Sequence, residues 1–249
     1  MNLLHGIEII EPYPALYIQS IDTIVISDLH LGYEGVMAEY HGLFIPRTQF
    51  RKELGILEKI TEVRKASTIV IAGDIKHEFS ETTYIEFKEV RALFEFLKTG
   101  FKRIVAIKGN HDNYIIYVTR KYDVELHDFL FIDSFLFIHG DVIPEQKDVE
   151  KAEVIIMGHE HPAIALFDEV GAKEKMKAFL LGNLNGKKLI VMPALSPLAA
   201  GTEINVIARD EMLSPILKER VDIDSFKVIG IDEETGSLEF GMLGDLRRI

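Results

Sequence analysis

The chain has 249 residues, 47% hydrophobic and 27% charged, which supplies enough apolar side chain for one large domain with its own buried core. It contains no cysteine, which excludes disulfides, iron–sulfur clusters and thiolate zinc sites, so any bound metal must be held by oxygen and nitrogen. The formal net charge of −12 argues against a general duplex-DNA binder, whose contact face carries a basic excess. The opening MNLLHGIEIIEPYP has no basic n-region, and no apolar run approaches the roughly 20 residues of a membrane span. A cytoplasmic protein with no membrane partner is expected.

In chain order, the first clear element is the β-branched run 23–27 (TIVIS), read as a buried strand. A helix is expected over 48–65, with Phe50, Leu54, Leu57 and Val63 on its apolar face. A strand at 68–72 (TIVIA) follows, then a helix over 80–98 that buries Phe87, Val90, Leu93, Phe94 and Leu97 and is capped by Ser80. Further strands fall at 103–108 (RIVAIK), 135–138 (FLFI) and 154–157 (VIIM). Continuous apolar runs of this length suit strands covered on both faces.

The second half reads as antiparallel hairpins. FLFI at 129–132 and again at 135–138 flank Asp133-Ser134, and Asn185-Gly186 lies between 178–181 and 189–192 as a strong hairpin signal. Strands are also expected at 203–207, 226–231 and 237–240, the last two around the 233–236 turn. Strand alternating with helix, followed by hairpins, predicts an α/β fold: a four-layer α/β/β/α sandwich of two packed sheets flanked by helices. The chain reads as a single domain, 1–249, with 209–249 as a C-terminal extension of undefined role.

Each of the five apolar runs ends in residues able to bind metal. The endings are Asp28-Leu29-His30, Gly73-Asp74, Gly109-Asn110-His111-Asp112, His139-Gly140-Asp141 and Gly158-His159-Glu160-His161. Ligands of open α/β sheets bind at the carboxyl ends of strands, which would gather these groups around one point. Asp28/His30 and His159/His161 are i, i+2 pairs that would share a face of an extended segment. Gly73, Gly109, Gly140 and Gly158 would remove side chains where backbone and cations approach closely. Carboxylate and imidazole without thiolate suit Mn²⁺, Fe, Zn²⁺ or Ni²⁺. Seven candidate ligands exceed the needs of one tetrahedral zinc and match two cations sharing a carboxylate.

The ordered set Asp-x-His, Gly-Asp, Gly-Asn-His-Asp, His and Gly-His-x-His resembles the calcineurin-like metallophosphoesterase superfamily and extends from Asp28 to His161. The resemblance implies that Asp28, His30 and His161 hold one metal, that Asp74 bridges both, and that Asn110, His139 and His159 complete the second site. It also implies that His111 binds no metal but contacts the scissile phosphate and serves the leaving oxygen as the catalytic residue. Asp112 would support that histidine if it turned toward the ring. The variants DLHLGYE at 28–34 and GDIKHEF at 73–79 look like the prokaryotic DNA-ligase-associated (ICC-like) subgroup. That likeness implies Mn²⁺-dependent phosphodiesterase or nuclease activity and draws attention to His77, which follows the Gly-Asp.

The expected function is therefore two-metal hydrolysis of phosphodiesters, with single-stranded DNA or RNA, or a small nucleotide diester, as substrate. The acidic balance favours short or flexible substrates over long duplexes. A phosphomonoesterase acting on a nucleotide or phosphoprotein would use the same cage, and a non-catalytic scaffold of this fold would have lost ligands that this chain keeps. His5, His41 and His127 have no motif context and read as surface or packing residues; Glu160 and Asp141 read as polar rim. The groups Lys98/Lys102/Arg103, Lys173/Lys175/Lys177 and Lys187/Lys188 read as solvated faces, and the aromatics at 129–137 as core.

Overall fold

Alternate residues of the central strands belong to different cores, and this period-2 division builds the whole architecture. A computed structural model describes residues 1–79, 83–168 and 170–247. The first sheet runs in chain order: β1 (Asn2–Leu4), β2 (Ile7–Ile9), β3 (Leu16–Ile18), β4 (Thr23–Ile26), β5 (Thr68–Ala72), β6 (Arg103–Ile107) and β7 (Glu125–His127). Its first four strands are antiparallel and β4 to β7 are parallel. The parallel strands are joined through α1 (Tyr33–His41), α2 (Gln49–Val63), α3 (Tyr84–Gly100) and α4 (Ile116–Lys121). Because each crossover steps the same way, the helices fall on one face. Ile24, Ile26, Ile69 and Ile71 pack there against Leu57, Ile60, Val90 and Phe94.

The second sheet contains β8 (Phe129–Ile132), β9 (Phe135–Ile138), β10 (Val154–Met157), β11 (Pro162–Phe167), β12 (Lys173–Leu184), β13 (Lys187–Val191) and β14 (Thr202–Glu203). Their order is β14-β11-β12-β13-β10-β9-β8, and β15 (Lys227–Asp232) pairs with β12 and with β16 (Gly236–Met242). Leu136, Ile155, Met157 and Leu180 face an outer core covered by α5 (Gln146–Lys151), α6 (Pro215–Glu219) and α7 (Leu243–Leu246). The intervening residues Phe137, Ile156, Phe179 and Ile190 meet Val25, Val70 and Val105 between the sheets. Burying each such side chain contributes about 1.5–3 kcal/mol, so two sheet faces and two helix layers close the expected α/β/β/α sandwich. Residues 209–247 are built into this second half: Ile216, Phe226, Val228 and Leu243 are all buried in its outer core.

Both hairpin readings hold. Asn185 and Gly186 adopt φ of 49° and 81°, the two positive values of a type I′ turn, and Asp133 turns β8 into β9 at φ 51°. Three expectations change. Phe129, expected in the core with the other aromatics of 129–137, is 48% exposed on the edge strand β8. Val63 is 60% exposed at the last residue of α2, and Ile60 takes the core position instead. The strand expected at 203–207 stops at Glu203, because the Asn205 side chain bonds both the N–H and C=O of Ala165 while Val206 and Ile207 turn back onto the Glu203 carbonyl. Ser80 lies outside the described residues; Thr83 caps α3 in a reciprocal pair with Glu86. Among the described residues no helix is long and apolar enough to cross a membrane.

Candidate metal centre

Strands β4, β5, β6, β9 and β10 bring their carboxyl ends to one edge of the sandwich, where the chain leaves each in a polar loop. The loops are zipped together through backbone: Asp28 N–H donates to Gly73 O at 3.0 Å, His30 N–H to Asp74 O at 2.9 Å, and His77 N–H to Leu31 O at 3.0 Å. Asp28, His30, Asp74, His159 and His161 have φ between 48° and 66°. That left-handed region admits Asp and His more readily than bulkier residues. The i, i+2 pairs are therefore not extended segments. Asp28 and His30 still converge, but His159 and His161 part into different groups.

Three donor groups result, and two of them share one carboxylate. Asp28, His30, Asp74 and His161 form the first; Asp74, His139 and His159 form the second. In the first, His161 Nε2 lies 3.1 Å from Asp28 Oδ1 and 3.3 Å from His30 Nε2, with Asp74 Oδ2 3.7 Å from His30 Nε2. In the second, His139 Nε2 lies 3.3 Å from Asp74 Oδ2, 3.0 Å from Asn110 Oδ1 and 3.1 Å from His159 Nδ1. His139 Nδ1 donates to the Ala72 carbonyl at 3.1 Å, which leaves Nε2 to face the group. All seven candidate ligands thus lie at one place.

The donor set fits divalent cations. Asp28 and Asp74 are buried and face imidazoles rather than Lys or Arg at ion-pair distance. Imidazole nitrogens directed at one another at 3.1–3.3 Å need a shared proton or cation between their lone pairs. Burial alone would raise the Asp74 carboxyl, but the hydrogen bond from His139 and the charges of His139, His30 and His111 hold it well below the usual range. Burial pushes His30 down to about 3 and, with the His139 charge, His159 down to about 4. Against burial, Asp74 and Asp28 hold His139 up to about 10 and Asp28 raises His161, so a cation bound there would take the place of the protons those two rings otherwise keep.

His111 is in neither of the Asp74-centred groups but forms the third group with His30 and His77. Its backbone N–H donates to Asp74 Oδ1 at 3.0 Å, its Nδ1 bonds the His77 carbonyl, and Phe79 lies over its ring with centroids 3.6 Å apart. His77 also reaches His30, Nδ1 to Nδ1 at 3.4 Å. Asp112 does not turn toward the imidazole. Its carboxylate accepts backbone N–H bonds from Gly109 at 2.9 Å, Ile75 at 2.9 Å and Lys76 at 3.2 Å, tying two ligand loops together.

The sequence reading missed much of the support. Gln49 is buried at the start of α2, and its amide donates to the carbonyls of Leu29 at 3.0 Å and His30 at 2.9 Å and to Ser196 Oγ at 2.9 Å. A polar pair, Gln49 and Glu53, spaced i, i+4 on the core face of a helix was the available signal. Glu160 is not rim: it is fully buried and accepts the N–H groups of Leu213 at 2.9 Å and Ser214 at 2.8 Å. Lys177 is not a solvated lysine either. Its Nζ donates to Ala194 O and Ser196 O, both at 2.6 Å, and burial pulls it down to about 8.

Fold and donor set together define a metallophosphoesterase. The family model for calcineurin-like phosphoesterases matches residues 21–183, and the chain belongs to that family. No curated protein matches the sequence. Among solved structures, the nuclease MPE of Pseudomonas putida is similar in fold, with a TM-score of 0.59, 16% identity and coverage of 88% of each chain. The phosphoesterase Yfce of E. coli aligns with a TM-score of 0.41 and 15% identity over 88% of this chain and 98% of its own.

Proposed function

We propose that this chain hydrolyses phosphodiesters with two divalent cations, Mn²⁺ foremost, acting on single-stranded nucleic acid or small nucleotide diesters. The observation that carries the reading is Asp74, a buried carboxylate that belongs to two donor groups at once. In this reading Asp28, His30 and His161 hold one cation, Asn110, His139 and His159 the other, and Asp74 both. Cations bound there would neutralise phosphoryl oxygens and lower the pKa of the attacking water.

The remaining work falls to the chain's own groups. Asp74 accepts the backbone N–H of His111 and so fixes where that residue sits relative to the cage. With Nδ1–H committed to the His77 carbonyl, His111 presents Nε2 to the site, and in the imidazolium form, with both ring nitrogens protonated, that atom gives a proton or hydrogen bond to the departing oxygen. Phe79 packs on the ring and limits its rotation. The net charge of −12 disfavours long duplexes, and the nuclease description of the Pseudomonas putida neighbour agrees with a diester substrate while sharing only its fold.

The test is a Mn²⁺-supplemented panel of bis(p-nitrophenyl) phosphate, p-nitrophenyl phosphate, single-stranded DNA and duplex DNA. The diester should turn over at least tenfold faster than the monoester, and single strands faster than duplex. A preference for the monoester would overturn the diester reading in favour of a phosphatase.

A further inference from the structure

Phosphate and metal recognition needs no apolar surface, yet a cavity of about 470 Å³ opens directly beside the second donor group. Asn110 and His139 form part of its lining, and Phe129, Val142, Ile143 and Pro144 give it an apolar wall. Phe129 is 48% exposed and Val142 68% exposed, so apolar side chains that could have been buried stand open across a concave site. Its size lies within the roughly 300–1,000 Å³ range of small-molecule sites. A bare phosphate or a methyl ester would leave most of it empty.

The polar groups at its edge are of mixed kind. Lys108 and Lys147 supply donors and Asp128, Asp141, Glu145 and Asp148 acceptors, an excess of carboxylate that suits a neutral heterocycle with N–H donors better than a second anion. A second cavity of about 540 Å³ also has Lys108, Asp128 and Phe129 in its lining, together with Tyr114 and Ile116. His111 lines neither cavity. The group received is therefore the substituent that stays on phosphorus, not the one that departs.

We propose that the cavity between Asn110–His139 and the Phe129/Val142/Ile143 wall is a nucleoside subsite, seating the base and sugar attached to the scissile phosphate. The proposal rests on the phosphodiesterase reading of the neighbouring cage and names the part of the substrate that cage does not touch. The base lies on Phe129 and the aliphatic wall, with Lys108 and Asp128 meeting its polar edge.

Two measurements test it, one independent of catalysis. In the first, thymidine 5′-(p-nitrophenyl phosphate) and methyl p-nitrophenyl phosphate are compared with Mn²⁺, since the two share a leaving group. The wild type should favour the thymidine ester at least tenfold in kcat/KM. Val142→Trp, a filling substitution at an exposed position, should reduce that ratio at least tenfold, while Val206→Trp, the same exchange at an exposed position outside the cavity, should keep it within threefold. In the second, saturation-transfer NMR reads thymidine itself, with neither phosphate nor metal added; the signal should be present in the wild type and fall at least fivefold in Val142→Trp. Equal transfer in wild type and Val142→Trp, or an unchanged ester ratio, overturns the subsite. Thymidine binding that is lost in Val142→Trp, without turnover of either ester, supports the subsite and removes the phosphodiesterase reading instead.

Discussion

Gly109→Ala is the most discriminating single substitution at the cage. A Cβ built on Gly109 would lie 2.1 Å from Asp74 Oδ1 and 2.4 Å from the Asp74 backbone nitrogen, where ordinary contact is 3.4–4 Å. Both contacts are therefore an ångström or more too short, and since the Asp74 backbone is zipped through β5 to β6 and directly to the His30 loop, relief requires the Asp74 segment and its carboxylate to shift together. The carboxylate shared by two donor groups is displaced. A misplacement of about 1 Å costs roughly 100-fold in rate, so turnover should fall by about that factor and both cations should bind more weakly. Overpacking of this kind costs about 1–3 kcal/mol, and at this chain length each kcal/mol lowers Tm by about 2–4 °C. The variant should therefore remain folded. The assay is Mn²⁺-dependent hydrolysis of bis(p-nitrophenyl) phosphate beside a metal titration and a melting curve. Gly55→Ala, in α2 with nothing within 4 Å of its added methyl, is the control and should hold or raise Tm. Turnover within threefold of wild type in Gly109→Ala, with unchanged metal affinity, would refute the assignment of Asp74 as the shared ligand.

Asp74→Asn should reduce turnover at least 100-fold and weaken both metal sites in the same titration; a variant that loses only one cation would deny the bridging role. His111→Ala should keep full metal stoichiometry but lose about 10²–10⁴ in kcat, and loss of metal would place His111 among the ligands instead. Glu53 gives a pH signature distant from the cage. Burial raises its carboxyl from 4.5 to about 8, so across that interval the folded chain holds a proton the unfolded chain has released. Its contribution to stability is then complete below about pH 4.5 and lost as pH rises through about 8, at roughly 1.4 kcal/mol per unit. Lys177, lowered from 10.5 to about 8, acts in the opposite sense and only above that window. Glu53→Gln should therefore flatten the fall in Tm between pH 5 and 8, and superimposable Tm–pH curves would show that Glu53 is ionised in the fold.

What could be read in the sequence is what is local. TIVIS, TIVIA and VIIM encode strand and burial within themselves, and the residue after each run inherits a position at the sheet edge. The seven candidate ligands could be named because each follows its strand by one to four residues. The motif glycines were also legible as close approaches, but not as approaches to what. A Cβ at Gly73 would meet His139 Nδ1 at 2.1 Å, and one at Gly158 would meet Asp28 Oδ2 at 2.4 Å, so they clear space for ligand side chains from other loops rather than for cations. The support around the cage was not legible, for a reason of distance along the chain. Gln49 reaches Ser196 across 147 residues and Glu160 reaches Ser214 across 54; the i, i+4 spacing of Gln49 and Glu53 marks a buried polar face, but nothing in either segment names the distant partner. Such bonds form only when two sheets have already packed, so they record the tertiary structure rather than specify it. The same holds for Asp112. Its position beside His111 favoured a pairing with the ring, yet three backbone amides converge on its carboxylate, and burial without them would leave a charge unsatisfied. The carboxylate goes where the donors are. That choice leaves the His77 carbonyl to orient His111, so a residue three positions after Asp74, rather than the acid next to the histidine, sets the direction of the His111 ring.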